Sequence, residues 1–265
     1  MQSFLTKPVA TADTEEARHP ETLRSRFWWQ TRYASWEETS FRVFRHFVRP
    51  GAVVLDLGGW VGPTALWLAA VARKVVVLEP GDKAFDELTL NAAANRDRIG
   101  RLSLVHAALG PKRGFVQMTN RGDSADQVGV YDGQGGILSA VWSVKDLLWA
   151  FPELEEVTFV KIDVEGSERD IIPAMAGFLR EKQPVMLLSI HPWALMADEL
   201  EDLASHLKDL CPFLYSFHFN MTWSLTDFRI MGPTAAIMPQ VADPADDVLC
   251  MWQSAPELSA LPIWS

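Results

Sequence analysis

The chain has 265 residues, 48% of them hydrophobic, and its mean hydropathy is near zero, which suits one well-packed, decorated domain rather than two. Its 24 lysines and arginines against 34 aspartates and glutamates leave a net charge of −10, which repels a phosphate backbone and disfavours nucleic acid as a partner. No apolar run nears the roughly 18 residues of a membrane span, Cys211 and Cys250 have no second ligand at metal spacing, and the polar start has no apolar leader core, so a reduced cytoplasmic protein without membrane contact is expected.

Residues 1–49 read as a polar tail followed by cap helices, with Phe27, Tyr33, Phe41, Phe44, Phe47 and Val48 at helical spacing before the stop at Pro50-Gly51. The arginines of this stretch, from Arg18 to Arg49, are interleaved with glutamates and read as a solvated helical face. From residue 50 to 265 strands and helices alternate. Apolar strands are expected at 53–57, 75–78, 102–108, 157–162 and 185–190, with helices at 63–72, 82–95 and 167–180 between them. Residues 116–118 look like the start of a hairpin, and 119–140, with five glycines among polar residues, read as a long loop and candidate lid. Ser143 and Asp146 fit a capping box opening a short helix. A helix at 198–210 precedes two last apolar segments, 214–219 and 248–252, which lack a helix between them and form an antiparallel edge hairpin. The fold class is therefore α/β and Rossmann-like: a mainly parallel seven-stranded sheet with helices on both faces.

The strongest chemical signal is the run Asp56-Leu57-Gly58-Gly59-Trp60-Val61-Gly62 between a strand and a helix. Glycines there let the backbone turn sharply and approach a ligand. Glu79 follows Gly58 by 21 positions, at the end of the second strand, where a carboxylate accepts the ribose hydroxyls of an adenosine. A dinucleotide site would place a pyrophosphate here, and Asp56 would repel it; the same charge suits the ammonium and sulfonium of S-adenosylmethionine. Asp163 closes the fourth strand and His191 the fifth, at the carboxyl edge where open α/β sheets bind ligands. For Glu165 and Glu168, favourable placement in a helix first turn is as good an explanation as a role in the site. Trp60, Trp142, Trp193 and Trp223 are the tryptophans expected at a cleft.

The segments LDLGGWVG, VVVLEP, VHAALG and FVKIDVEGSERDII resemble the FkbM family of S-adenosylmethionine-dependent methyltransferases, over roughly residues 50–195. The resemblance implies a class I methyltransferase domain spanning 50–265. It matches Asp56, Gly58 and Gly62 to the cofactor loop, Glu79 to the ribose ligand, His106 and Ala107 to the strand end beside adenine, and Asp163, Glu165 and Glu168 to the acidic motif. The expected cofactor set is thus Asp56, Gly58, Gly59, Trp60, Gly62, Glu79, His106, Ala107 and Asp163. Two departures stand out: Trp60 replaces a small polar residue such as Asn, and Ser189-Ile190-His191 replaces the common Glu-x-His ending of the fifth strand. Family members are mostly O-methyltransferases of sugars or natural products, which implies a small hydroxylated acceptor.

Acceptor activation is expected from Asp163 and His191, with His191 as general base oriented by Asp163. A divalent metal on Asp163, Glu165 and His191 is the second choice, set behind because the fifth strand offers no carboxylate of its own. N-methylation remains an alternative within the fold. A nicotinamide-dependent oxidoreductase and an inactive binding module are rivals from other classes.

Overall fold

A computed structural model of the protein describes residues 28–31, 33, 36–118, 128–129, 137–219, 225–231 and 246–253. Most of the candidate lid, Trp223 and the tail before residue 28 lie outside these residues. Helix α1 (Glu38–Phe47) precedes β1 (Val53–Leu57), α2 (Pro63–Val71), β2 (Lys74–Leu78), α3 (Asp82–Ala94) and β3 (Leu102–Val105). Short strands β4 (Ala107–Leu109), β5 (Gly114–Met118), β6 (Val128–Gly129) and β7 (Leu138–Trp142) follow, then α4 (Val144–Ala150) and β8 (Val157–Ile162). The chain continues with α5 (Glu168–Lys182), β9 (Val185–Ile190), α6 (Ala197–Leu210), β10 (Phe213–Phe219), β11 (Leu225–Met231) and β12 (Asp246–Met251).

The main sheet runs β11-β10-β12-β9-β8-β1-β2-β3, so β1 and β8 lie in its middle. The five strands from β9 to β3 are parallel, while β12, β10 and β11 are joined antiparallel at one side. The expected seven strands are present, and Leu225–Met231 adds an eighth at the edge, a segment whose mixed composition hides it from pattern reading.

Two expectations are corrected by a second, four-stranded sheet of order β4-β7-β5-β6. The strand expected at 102–108 breaks at His106: Leu102–Val105 pairs with β2, whereas Ala107–Leu109 leaves to pair with β7. The candidate lid is also shorter than expected, because Leu138–Trp142 is the strand that joins β4 and β5. The capping box is present, with Ser143 Oγ accepting from Asp146 N and the Asp146 carboxylate accepting from Ser143 N.

Apolar clusters cover both faces of the main sheet. One gathers α5 and α6 on inward residues of β1, β8 and β9; the other gathers α1 and α2 around Val54, Val77 and Phe159. Helix α2 is buried through most of its length, as its apolar composition all round requires. Phe44 of α1 has no exposed surface and sits edge-on to Phe159 at 5.7 Å and tilted against Trp67 at 5.8 Å. Phe44→Ala is expected to lower stability in urea unfolding by about 3–5 kcal/mol. Phe115→Ala, at a side chain 69% exposed, is expected to change it by less than about 0.5 kcal/mol.

Candidate active site

Parallel strands end at one edge, and the loop after β1 is built there by backbone geometry. Gly58 and Gly59 both donate N–H to the Leu78 carbonyl, at 3.0 and 3.1 Å, which folds the loop across the end of β2. Gly58 has φ of +85°, and a Cβ on it would lie 1.8 Å from the Asp163 carbonyl oxygen, so no larger residue fits. Gly62 caps α2, with Pro63 at the first helical position. Trp60 adopts φ of +44° and donates its N–H to Glu79 Oε2 at 2.8 Å. Its ring lies edge-on to Trp28 at 4.8 Å and 6.1 Å from Trp36, so the N-terminal segment supplies an aromatic wall over the loop.

Glu79 Oε1 accepts from Gly81 N at 2.7 Å, and its own N–H reaches the Val105 carbonyl at the end of β3. Burial raises the Glu79 carboxyl to about 7, against the pull of the Gly81 and Trp60 amides. A carboxylate has about four lone-pair sites, so two backbone donors leave capacity for a ligand's hydroxyls. His106, the next residue along, stacks on Phe85 at 4.5 Å and 7° and meets Asp82 at 3.1 Å, whereas the side chain of Ala107 is wholly buried.

Asp56 has no exposed surface, which corrects the expectation of direct charge contact with a ligand. Its carboxylate accepts from Thr64 Oγ1 at 2.9 Å and lies 3.4 Å from Lys161 Nζ; burial raises its pKa, and Lys161 and Thr64 oppose that. Lys161 Nζ also donates to the Gly58 carbonyl at 3.1 Å and lies 3.3 Å from Asp163 Oδ2. Burial alone would lower the lysine pKa; Asp163 and Asp56 reverse that and hold it above its ordinary value. Lys161 lies inside the FVKIDVEG segment, and a lysine within an apolar strand is itself a signal of a buried polar role that strand patterning alone does not assign.

Beyond Lys161 the chain turns through Asp163, Glu165 and Gly166. Glu165 has φ of +52°, an uncommon backbone state for a residue with a side chain, and a Cβ on Gly166 would lie 2.7 Å from Ala194 Cβ. His191, 5% exposed at the end of β9, points Nε2 at Asp163 Oδ1 (3.4 Å) and Glu165 Oε2 (3.5 Å). Its Nδ1 is 2.6 Å from Oε1 of Glu168, a fully buried residue. The orienting carboxylate is thus Glu168, on the first turn of α5, and not Asp163, which faces the other ring nitrogen. Burial alone would lower the imidazole pKa; the Glu168 hydrogen bond and the Asp163 charge raise it to about 9. Burial likewise raises Glu165 to about 7.

Ser189, where the resemblance leads one to expect glutamate, donates to Asp247 Oδ1 at 2.6 Å, and Ser40 Oγ lies 3.4 Å from Asp247 Oδ2. Asp247 is opposite Ser189 in the antiparallel pairing of β12 with β9, so a carboxylate reaches this strand end from the neighbouring strand. Trp193 is half-exposed beside His191, 6.0 Å between ring centroids, while Trp142 stacks loosely on Phe151 at 6.4 Å. Asp56, Gly58, Gly59, Trp60, Glu79, Asp163 and His191 are therefore brought together at one edge, with His106 at its β3 end.

A model of the methyltransferase FkbM domain matches residues 58–216, more than half of the chain. A glycine loop and acidic strand ends stand together at the carboxyl edge of the parallel sheet, and the family model covers them. The chain belongs to the FkbM methyltransferase family. Comparison with curated proteins gives no match. Among solved structures it is similar to an FkbM methyltransferase from Methylobacillus flagellatus KT at 15% identity and TM-score 0.48, over 78% of this chain and 50% of that one. The chain thus spans half the length of that protein. It is also similar to a putative rRNA methylase from Clostridium thermocellum (13% identity, TM-score 0.47, 82% of this chain and 96% of that one). A third likeness is to an S-adenosylmethionine-dependent O-methyltransferase from Thermotoga maritima (12% identity, TM-score 0.43, 83% and 67%).

Gly58→Ala is expected to cost about 2 kcal/mol or more, from positive φ and the approach to the Asp163 carbonyl together. Gly100→Ala, with nothing within 4 Å of the added carbon, should stay within about 0.5 kcal/mol of wild type in the same chemical unfolding series.

Proposed function

We propose that the protein transfers the methyl group of S-adenosylmethionine to a hydroxyl of a small molecule, of the sugar or natural-product kind. The observation that carries this reading is the joining of two arrays at one sheet edge: Gly58 packs directly on the Asp163 carbonyl, and Asp163 shares its surroundings with Glu165 and His191. In this reading the 58–62 loop and Glu79 hold the cofactor, with Glu79 accepting from the ribose hydroxyls and His106 bordering the adenine. Asp56 serves them from beneath, fixing α2 and Lys161 rather than touching the ligand. Methyl transfer is an in-line displacement that needs alignment and removal of the acceptor proton. A group of oxygen and nitrogen donors at Asp163, Glu165 and His191 suits a hydroxyl, which must be activated, more than an amine that is already nucleophilic when neutral. The acceptor is small in this reading because the net charge of −10 disfavours a polyanion. Membership of a methyltransferase family sets the nicotinamide alternative aside.

Two measurements test this. Labelled methyl from S-adenosylmethionine should appear on hydroxylated small molecules and not on their amino analogues; transfer to the amines alone would refute O-methylation. Binding of S-adenosylhomocysteine should weaken by about 10- to 150-fold in Glu79→Gln, the loss of charge-assisted hydrogen bonds worth about 1.5–3 kcal/mol. The pH dependence has a fixed sign. Ribose hydroxyls donate to the ionised carboxylate, and Glu79 in the ligand-free protein titrates at about 7, so wild-type affinity should rise from pH 6 to pH 8 and then level. The variant should lack this rise, as calorimetry across that range will show.

A further inference from the structure

We propose that Asp163, Glu165 and His191 form a binding site for one divalent cation of the Mg²⁺ or Mn²⁺ type. The three residues come from the ends of two neighbouring strands, and one donor atom from each lies within 4.8 Å of the other two. Two of the separations, His191 Nε2 to Asp163 Oδ1 at 3.4 Å and to Glu165 Oε2 at 3.5 Å, lie between the about 3 Å of adjacent and the about 4.2 Å of opposite ligands in an octahedron with bonds near 2.1 Å. A small inward movement of the glutamate closes the third.

The imidazole is set as a ligand. Glu168 Oε1 holds Nδ1 at 2.6 Å from the buried side, which turns Nε2 toward the two carboxylates. In the ion-free protein the Nε2 proton sits between the two carboxylates; a divalent cation would take its place, and a carboxylate behind the ligating histidine is the usual outer support of a metal site. A second observation concerns the support of the triad. Glu168 is fully buried, and its Oε2 has no hydrogen-bond partner among the described residues, so this carboxylate behind the histidine is met on one oxygen only. Lys161 lies close by, but its ammonium is already shared among Asp56, Asp163 and the Gly58 carbonyl. Asp247, bonded to Ser189 and Ser40 near the same strand end, adds a further carboxylate. The fifth strand carries no carboxylate of its own, but Asp247 supplies one at its end from the paired strand. Two carboxylate oxygens and one imidazole are hard donors that leave positions open, which suits Mg²⁺ or Mn²⁺ better than a closed zinc site.

The role of the cation rests on the methyl-transfer reading above. An acceptor hydroxyl bound at an open position loses its proton to solvent more readily; its oxygen then forms the new C–O bond while the C–S bond breaks, and the sulfur keeps the electron pair as neutral S-adenosylhomocysteine.

The test is binding of Mn²⁺ alone to the full chain after chelator treatment, read by calorimetry and by loss of the free-ion electron paramagnetic resonance signal. One Mn²⁺ per chain is expected, with affinity reduced at least 10-fold in Glu165→Gln and in His191→Ala. Glu168→Gln should lose about 10- to 100-fold without removing a ligand atom, while Glu156→Gln, on an exposed residue, should match wild type. Absence of saturable Mn²⁺ binding in wild type, or equal affinity in Glu165→Gln and His191→Ala with folding verified by circular dichroism, would overturn the site. S-adenosylhomocysteine binding is measured separately in chelator. Binding of that ligand with no Mn²⁺ binding defeats the cation and spares the methyl-transfer reading; Mn²⁺ binding without it does the reverse.

Discussion

One ammonium group links the first strand, the glycine loop and the acidic strand end. Lys161 Nζ lies 3.4 Å from Asp56, 3.3 Å from Asp163 and 3.1 Å from the Gly58 carbonyl, at a position only 3% exposed. A charge so far from water is tolerated only when nearly every donor finds an acceptor. Asp56, fully buried, depends on it most; Asp163 also faces His191. This ties the loop after β1 to the end of β8 although Gly58 and Lys161 are 103 positions apart. Asp163 N adds a backbone bond to the Leu57 carbonyl at 3.0 Å, so β1 and β8 stay paired up to the site itself.

Sequence pattern exposed those parts of the site that are local. The turn at Gly58–Gly62, the carboxylate at the end of β2 and the strand endings at Asp163 and His191 each follow from short-range periodicity and from glycine placement. What stayed hidden depends on partners far away in the chain. Glu168 looked like first-turn helix chemistry, and it does sit at the start of α5; only the position of β9 beside β8 shows that its carboxylate is engaged by His191. Asp56 read as a ligand because its charge suits a cation, yet the backbone turns that charge inward, onto Thr64 and Lys161. The second sheet was hidden for a different reason. A break at a single residue, His106, moves Ala107–Leu109 from one sheet to another, and hydropathy does not change across it.

The substitution at residue 189 shows why a motif position and a chemical requirement are separable. Ser189 lacks the carboxylate that its resemblance leads one to expect, but antiparallel register places Asp247 opposite it and the serine donates to that carboxylate. The charge is thus supplied across a strand pair instead of along a strand. Ser40, two residues into α1, reaches the same carboxylate, so the N-terminal segment is tied to the site by a polar contact as well as by the Trp28–Trp60 packing.

The balance of charge at the edge gives these features a common direction. Asp163, Glu165, Glu168, Asp247 and the deeper Asp56 face one lysine and one histidine, and burial drives Glu165 and Asp247 upward, to about 7 and about 6. Burial acts on a carboxyl by disfavouring its anionic form, and a positive charge placed beside it favours the ionised state. The sulfonium of S-adenosylmethionine is one such charge in the proposed reaction, and it disappears when the methyl group leaves. A divalent cation at Asp163, Glu165 and His191, in the proposed site, would be a second, and it would remain. On this account the excess of acid favours the charged cofactor over its neutral product, while a bound cation would keep the acceptor oxygen in place after the sulfonium charge is spent.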